Sequence, residues 1–177
     1  MEILVVVDMQ NDFVSGALGT KEAVAIVPFV VGRVAEAVER DETVIFTRDT
    51  HEQNYMDTQE GRKLPVPHCI RDTEGWQIIP QLQEYTTRTQ PIDKPTFGSV
   101  DLAEALRIVG QQMPIEKVTL IGLCTDICVI SNALMIKASL PEVEIEVDAK
   151  CCAGVTPESH ANALNAMKMC QITVVNE

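Results

Sequence analysis

The sequence is poor in positive charge and has no long uninterrupted apolar run. It contains 14 Lys and Arg residues against 26 Asp and Glu residues, which gives a formal net charge of -12. This charge repels phosphate backbones and anionic lipid headgroups, so we expect no nucleic-acid or membrane partner. No apolar stretch approaches the ~18 residues that a transmembrane helix needs.

An export signal is also missing from the sequence. The apolar run over residues 3–7 is too short for a signal peptide, lacks a preceding positive charge and is followed at once by Asp8. Repeats, linkers and low-complexity tracts are absent as well. We therefore expect a cytoplasmic protein, and the length of 177 residues predicts a single domain over residues 1–177.

The six cysteines favour neither a disulfide framework nor a zinc finger. Disulfide frameworks are typical of short secreted chains with weak cores, so reduced thiols are expected here. Cys124 and Cys128 are separated by three residues, and no second pair follows at zinc-ribbon spacing. The adjacent Cys151 and Cys152 could form only a strained disulfide, so a thiol redox protein is a weak alternative. The roles of Cys69, Cys151 and Cys152 stay open.

Short apolar or β-branched segments alternate with helical patterns along the chain. The predicted strands cover residues 3–7, 43–47, 87–92, 118–121, 143–147 and 172–175. The predicted helices cover residues 24–40, 77–84, 100–109, 126–139 and 158–169. This alternation predicts an α/β fold, a doubly wound three-layer sandwich with a six-stranded parallel sheet and right-handed crossovers.

Polar side chains cluster where four of the predicted strands end. Asp8 follows the first strand, Asp49 and His51 follow the second, Lys94 follows the third, and residues 122–128 follow the fourth. Ligands of doubly wound sheets bind beyond the carboxyl ends of the strands, which share one edge of the sheet. The sequence therefore predicts one functional site at this edge.

Cys128 is a candidate nucleophile near the start of a predicted helix. Free backbone amides and the helix dipole at that position favour an anion, so we expect a lowered thiol pKa. Taken alone, Cys128 could be a small buried hydrophobe, Asp8 a turn or capping residue, and Lys94 a surface charge. Together they form a chemical unit, because Asp8 can carry the thiol proton and Lys94 can offset negative charge.

Three segments resemble the signatures of the isochorismatase-like cysteine hydrolases. They are Val-Val-Asp-Met-Gln-Asn-Asp-Phe at 6–13, Asp-Lys-Pro-Thr-Phe-Gly-Ser at 93–99 and Gly-Leu-Cys-Thr-Asp-Ile-Cys-Val at 122–129. The order and spacing of the segments match those of the family, and the resemblance spans nearly the whole chain. It implies the isochorismatase-like hydrolase fold for this sequence.

The resemblance also implies a role for each residue of the predicted unit. Asp8, Lys94 and Cys128 correspond to the catalytic triad of the family. The peptide bond between Leu123 and Cys124 is expected to be cis, and the backbone amides of Cys124 and Cys128 are expected to form an oxyanion hole. Isochorismatases proper lack a cysteine at the position of Cys128, so this residue implies cleavage of a C–N bond.

A second cluster resembles the metal site of the nicotinamidase-like subgroup. Asp49, His51 and His68 form a plausible ligand set for a divalent metal, with Zn the first choice and Fe or Mn possible. In that subgroup the metal binds the pyridine nitrogen of the substrate. The alternative is that both histidines are solvated loop residues, since the polar segment 49–75 is either a functional loop or a disordered one. His160 lies in a helical pattern and is expected at the surface.

The substrate pocket departs from the nicotinamidase pattern at two places. Residues 15–20 read Ser-Gly-Ala-Leu-Gly-Thr where relatives usually have a Gly-Gly stretch, and Pro65 stands where a pocket aromatic commonly lies. Aromatic stacking contributes much of the affinity for a pyridine ring, so these changes bear on the substrate. Phe13 remains as a candidate stacking residue. Trp76 is a second candidate, although packing in the core explains it better.

We expect a homo-oligomeric amidohydrolase that cleaves nicotinamide to nicotinate and ammonia through a thioester at Cys128. One alternative is a family amidase that acts on a carbamoyl or ureido compound, for which the metal ligands would be unnecessary. A non-catalytic binding protein that retains the fold is another. It would have a thiol at Cys128 no more reactive than that of Cys170.

Overall fold

The computed structural model describes residues 1–87 and 89–177, and six parallel strands form one sheet within them. The strands are β1 (Glu2–Val7), β2 (Thr43–Asp49), β3 (Ile92–Lys94), β4 (Lys117–Leu123), β5 (Glu144–Ala153) and β6 (Thr173–Val175). Their order across the sheet is β3-β2-β1-β4-β5-β6. The chain therefore reverses its direction of travel at β1, between β2 and β4, which is where a doubly wound sheet binds its ligands.

Helices connect the strands and cover both faces of the sheet. The α-helices are α1 (Asn11–Val14), α2 (Lys21–Glu39), α3 (Gln59–Lys63), α4 (Gln83–Thr86), α5 (Val100–Gln112), α6 (Ile130–Ser139) and α7 (Pro157–Met169). Short 3-10 turns lie at Tyr55–Asp57 and Pro80–Leu82, and a π-helical turn, Thr125–Val129, leads directly into α6. Across the described ranges, none of the helices combines the length and the apolar character that a membrane span requires.

The residues of β1 divide between two cores because successive strand side chains point to opposite faces. Leu4 and Val6 pack on one face with α2 side chains such as Val34. Val5 and Val7 pack on the other face with side chains of α5, α6 and α7. Near-continuous apolar strands of this kind are buried on both sides. The expected three-layer sandwich is confirmed.

Two of the predicted elements are wrong. The helix predicted over residues 77–84 is instead a 3-10 turn followed by the single turn α4, because Ile78 makes an isolated bridge to Gln10 and Pro80 lacks an N–H donor. The strand predicted over residues 87–92 is shifted along the chain, and residue 88 lies outside the described residues. β3 instead begins at Ile92, because it pairs only with the last three residues of β2.

β5 extends six residues beyond the predicted end at residue 147. The charged side chains of Asp148 and Lys150 interrupt the apolar pattern there, although the backbone continues as a strand. This extension carries Cys151 and Cys152 on opposite faces, each packed in a different core, and both thiols are free. The geometry gives no support to a redox pair.

Candidate active site and metal site

Asp8, Lys94 and Cys128 meet at the carboxyl edge of the sheet, and we call them the catalytic cluster. Asp8 directly follows β1, Lys94 ends β3, and Cys128 lies in the π-helical turn after β4. The Nζ atom of Lys94 lies 2.7 Å from Oδ2 of Asp8 and 3.5 Å from Sγ of Cys128. Three segments far apart in the sequence therefore place a carboxylate, an ammonium group and a thiol in direct contact.

The local backbone holds the Asp8 carboxylate in a defined position. Asp8 has φ 47°, a left-handed conformation that aspartate tolerates better than most residues. The Thr47 hydroxyl on the neighbouring strand donates to Asp8 Oδ1 at 2.7 Å. The contact from Lys94 to Oδ2 is an ion pair rather than an aligned hydrogen bond. Asp8 is fully buried, so these contacts replace its hydration.

Burial dominates the protonation equilibria of the catalytic cluster. It raises the pKa of Asp8, and the opposing charge of Lys94 does not offset the effect. Burial would lower the pKa of Lys94, but the negative charges around it, that of Asp8 first, outweigh the effect and hold that pKa above its usual value. Lys94 is therefore a fixed cation, and Asp8 is a carboxylate that accepts a proton more readily than usual.

The pKa of Cys128 differs from the expectation drawn from its position near a helix start. Desolvation raises the pKa of the thiol well above its ordinary value, and the nearby charge of Asp8 acts in the same direction. The charge of Lys94 lowers the pKa but does not offset the burial. The resting thiol is consequently protonated, and a base must take its proton before it can attack.

The turn that carries Cys128 begins with an unusual backbone. The peptide bond between Leu123 and Cys124 is cis, and Gly122 has φ 114°. A Cβ atom at Gly122 would lie 2.1 Å from the carbonyl oxygen of Val7, so only glycine fits against β1 there. The Cys124 carbonyl accepts hydrogen bonds from two amides of the π-helical turn. Cys124, just before this turn, and Cys128, within it, line one small pocket of about 50 Å³.

Asp49, His51 and His68 form a metal cluster beside the catalytic cluster. One ligand atom from each residue lies within 4.8 Å of the others, and all three side chains are buried. Nε2 of His51 and Nε2 of His68 lie 3.0 and 3.5 Å from Oδ2 of Asp49. A carboxylate and two imidazoles are donors that suit a divalent transition metal.

The hydrogen bonds and the charge of Asp49 fit cation binding at this cluster. His68 Nδ1 lies 2.8 Å from the carbonyl oxygen of Val66, which orients Nε2 toward the cluster. Nε2 of His51 is buried and makes no hydrogen bond, so this atom is available as a donor to a cation. Burial alone would raise the pKa of Asp49, but His51, His68 and the charge of Lys94 hold it well below its usual value.

Gln10 fixes the backbone of Asp49 and was not identified from the sequence as part of the site. Its side-chain oxygen accepts from Asp49 N at 2.7 Å, and its Nε2 donates to the Asp49 carbonyl at 2.8 Å. Nε2 also donates to the carbonyl of Trp76 at 2.8 Å. One buried amide thus ties the end of β2 to the long loop that carries His68.

Glu60 is a second acid at the metal cluster that sequence analysis missed. Its Oε1 atom lies 3.6 Å from Nε2 of His51 and 3.8 Å from Nε2 of His68. Burial raises the pKa of Glu60, and the charge of Asp49 adds to the effect. In the sequence, Glu60 is an acidic residue in the first turn of a short helix. Such a residue ordinarily indicates helix stabilisation rather than a binding site.

The remaining candidate residues occupy three different environments. Phe13 lines the small pocket, and its ring centroid lies 5.6 Å from that of His68. Trp76 packs away from the pocket, with its Nε1 donating to Thr50 and the Arg48 guanidinium 3.4 Å from its ring centroid. The expected surface position of His160 is wrong. This residue is half-buried, because α7 packs on the π-helical turn.

Comparison with known proteins agrees with this geometry. Residues 2–177 match the isochorismatase domain family. The nicotinamidase/pyrazinamidase of Mycobacterium tuberculosis is 25% identical over 190 residues, which cover 99% of this chain and 98% of that protein. The crystal structure of a Bacillus subtilis nicotinamidase superposes with a TM-score of 0.83 at 26% identity, covering 99% of both chains.

A zinc-containing structure is also similar to this chain. The pyrazinamidase of Pyrococcus horikoshii, solved in complex with zinc, has a TM-score of 0.80 and 28% identity, and the match covers 99% of both chains. The two folds therefore correspond over nearly the full length of both proteins.

Proposed function

Because the chain belongs to the isochorismatase family, we propose that it is a cysteine-dependent amidohydrolase that converts nicotinamide to nicotinate and ammonia. One observation carries the proposal: the Nζ atom of Lys94 contacts Asp8 and Cys128 and also lies 3.4 Å from Oδ1 of Asp49. The nucleophile and two members of the metal-ligand set, Asp49 and His68, thus line one pocket, and Lys94 joins the base to them. The similar proteins named as nicotinamidases support the choice of substrate.

The reaction begins with transfer of the Cys128 proton to Asp8. The raised pKa of Asp8 makes this carboxylate a competent acceptor, and the Lys94 ammonium stabilises the thiolate that is left. The thiolate sulfur then adds to the amide carbonyl carbon, and the carbonyl π electrons move to oxygen. We assign the backbone amides of Cys124 and Cys128 as the donors to this oxyanion.

Collapse of the tetrahedral intermediate breaks the C–N bond. Asp8 returns its proton to the departing nitrogen, so ammonia leaves and a thioester remains on Cys128. Asp8 is again a carboxylate and takes a proton from water as the water oxygen adds to the thioester carbonyl. The C–S bond then breaks, the sulfur regains a proton, and nicotinate is released. Every proton passes through Asp8, which is why its pKa must lie above that of an ordinary aspartate.

Asp49, His51 and His68 would hold a divalent cation, which we assign as zinc, and Phe13 would pack against the substrate ring. When bound, the cation would supply a Lewis acid for the pyridine nitrogen of the substrate. The zinc complex of the Pyrococcus horikoshii pyrazinamidase supports this assignment. The buried Nε2 of His51, which makes no hydrogen bond, supports it independently.

We also propose that the chain is one cytoplasmic domain that assembles as a homo-oligomer. All six cysteines are free, as expected of a protein in a reducing compartment. Light scattering on the purified protein measures the oligomeric state, and a monomeric mass would contradict this part of the proposal.

The decisive experiment measures ammonia release from nicotinamide. Cys128→Ala should lower kcat by about a thousandfold or more while the metal content stays unchanged, because the covalent route needs the sulfur. Cys152→Ala is a matched control, since Cys152 is also a buried cysteine of the same core. Appreciable turnover by Cys128→Ala would contradict the nucleophile assignment. Release from a ureido compound but not from nicotinamide would reassign the substrate.

A further inference from the structure

A second chamber of about 220 Å³ adjoins the small pocket of the active site. Five residues line both spaces, and they are Phe13, Leu18, Leu64, Cys124 and Ile127. The chamber continues beyond them to Thr20, Ala23, Leu123, Gly154 and Val155. None of the metal ligands, and neither Asp8 nor Cys128, belongs to its wall. The chamber therefore leads away from the metal cluster on the side of Cys124.

The wall of the chamber suits hydrocarbon rather than a polar or charged group. None of its ten side chains is charged. The one hydroxyl, on Thr20, already accepts the N-terminal capping hydrogen bond of α2 from Ala23 N at 3.0 Å. Apolar cavities of about 150 Å³ hold a benzene molecule, so this chamber has room for a group of several carbons. Ligand pockets lined in this way gain affinity from apolar burial.

The two spaces lie side by side and share one stretch of wall, to which Leu64 belongs. Leu64 is 38% exposed, so its side chain is not packed as a partition between them. At about 50 Å³ the small pocket alone leaves little space beyond a reacting carboxamide.

On the basis of the proposed function, we infer that the preferred substrate is a carboxamide whose acyl skeleton carries an apolar substituent, which occupies the chamber beside Cys124. The substituent cannot be on the amide nitrogen. That nitrogen must face Asp8 to receive its proton, and Asp8 is fully buried against Thr47 and Lys94 and lines neither space. A ring substituent on the side away from Asp49 and His68 has the chamber open to it.

The test compares nicotinamide with nicotinamides that carry a propyl group at ring position 4, 5 or 6. At least one propyl compound should exceed nicotinamide in kcat/KM by about tenfold or more, because a propyl group has three carbons and each buried methylene contributes roughly fourfold. N-propylnicotinamide should not be hydrolysed. Calorimetry with Cys128→Ala should show the same preference in affinity, which measures occupancy of the chamber without turnover.

Two variants that fill the chamber sharpen the test. Ala23→Leu acts from the buried wall, and Val155→Phe acts from a side chain that is 50% exposed and tolerates enlargement. Both should lower kcat/KM for the preferred propyl compound by about tenfold more than they lower kcat/KM for nicotinamide, because only the propyl group extends into the chamber. Val24→Phe is the matched control, because Val24 is also 50% exposed but does not line the chamber.

The outcomes separate the chamber from the reaction itself. Turnover of nicotinamide without turnover of any propyl compound would overturn the chamber assignment alone. An equal loss for both substrates in Val155→Phe and Ala23→Leu would overturn it as well. Ammonia release from none of these amides would overturn the proposed function, and the substrate class inferred from it would fall with it.

Discussion

Asp8 of the catalytic cluster and Asp49 of the metal cluster are the same residue type at neighbouring strand ends, yet their pKa values move in opposite directions. Both carboxylates are buried, and both lie near the Lys94 ammonium, at 2.7 and 3.4 Å. The pKa of Asp8 is raised by its burial. That of Asp49 is lowered in spite of the same burial.

The difference lies in what else contacts each carboxylate. Asp8 has one hydroxyl donor, Thr47, besides Lys94, and these do not replace the water that burial removes. Asp49 has two imidazoles in contact, from His51 and His68, which together outweigh desolvation. The surroundings of Asp8 favour a carboxylate that exchanges protons, and the surroundings of Asp49 favour a carboxylate that stays charged. Lys94 is shared, so it cannot be the cause of the divergence.

The largest effect on this comparison is expected from Lys94→Met, which removes the shared cation. Leaving buried acids without their counter-charge should destabilise the fold by about 3 kcal/mol, measured by urea unfolding. The pKa of Asp8 should rise further, so the folded variant binds more protons than the unfolded chain. Its free energy of unfolding should therefore fall as pH rises.

Lys137, a partly exposed lysine, provides the control for that experiment. Its Nζ donates to the carbonyl of Pro141 near the end of α6, far from both clusters. Lys137→Met should change the free energy of unfolding by less than about 0.5 kcal/mol at every pH. A Lys94→Met variant that is as stable as Lys137→Met would show that the buried acids do not depend on this cation.

His51→Ala should separate the two clusters. The variant loses a proposed metal ligand whose Nε2 is buried, so metal content should fall to background and ammonia release should drop by about a hundredfold. Alkylation of Cys128 should continue at nearly the wild-type rate, because His51 does not contact the catalytic cluster. His160→Gln should retain the metal. Equal losses of metal and of thiol reactivity would show that the clusters act as one unit.

Glu60→Gln should have a smaller effect on the metal cluster alone. Its carboxylate lies 3.6 and 3.8 Å from the two imidazoles, so its charge should strengthen cation binding. Removing that charge should weaken metal affinity by about 10- to 100-fold, measured by competition with a chelator. Glu52→Gln is the control, since the Glu52 side chain is 64% exposed and pairs with Arg71. Unchanged affinity in Glu60→Gln would exclude Glu60 from the site.

Glu60 also shows where sequence-based inference stops. Asp8, Asp49, Lys94 and Cys128 could be identified because apolar strands and one helix start put each of them at the edge of a parallel sheet. Glu60 comes from a five-residue helix within a loop, and no periodic pattern states which way that loop folds.

The burial of a residue and the pairing of a strand depend on the tertiary structure, and these too could not be predicted from the sequence. Two effects act on the pKa of the Cys128 thiol. Its position near a helix start favours the thiolate, whereas complete desolvation opposes it and raises the pKa. Only the first of these is visible in the sequence. The late start of β3 could not be predicted either, because the length of this strand depends on pairing with β2 rather than on its own residues.

Thr47→Val should have the smallest effect and should act on the catalytic cluster alone. The Thr47 hydroxyl stabilises charged Asp8, so its removal raises the pKa of Asp8 further. Asp8 must be charged to accept the thiol proton, so the acid limb of kcat/KM should move to higher pH. The loss on that limb should reach at most about tenfold, the scale of one hydrogen bond to a charged group.

Thr119→Val supplies the matched control for this shift. Thr119 is a similarly buried threonine in β4 of the same sheet, but its hydroxyl donates to Glu146 at 3.0 Å rather than to Asp8. Its acid limb should coincide with that of the wild type, and the alkaline plateau should be the same in all three proteins. If the acid limb of kcat/KM shifts alike in both valine variants, it reports the titration of another group. The opposite pKa shifts of Asp8 and Asp49 then have no part in setting the pH at which the enzyme works.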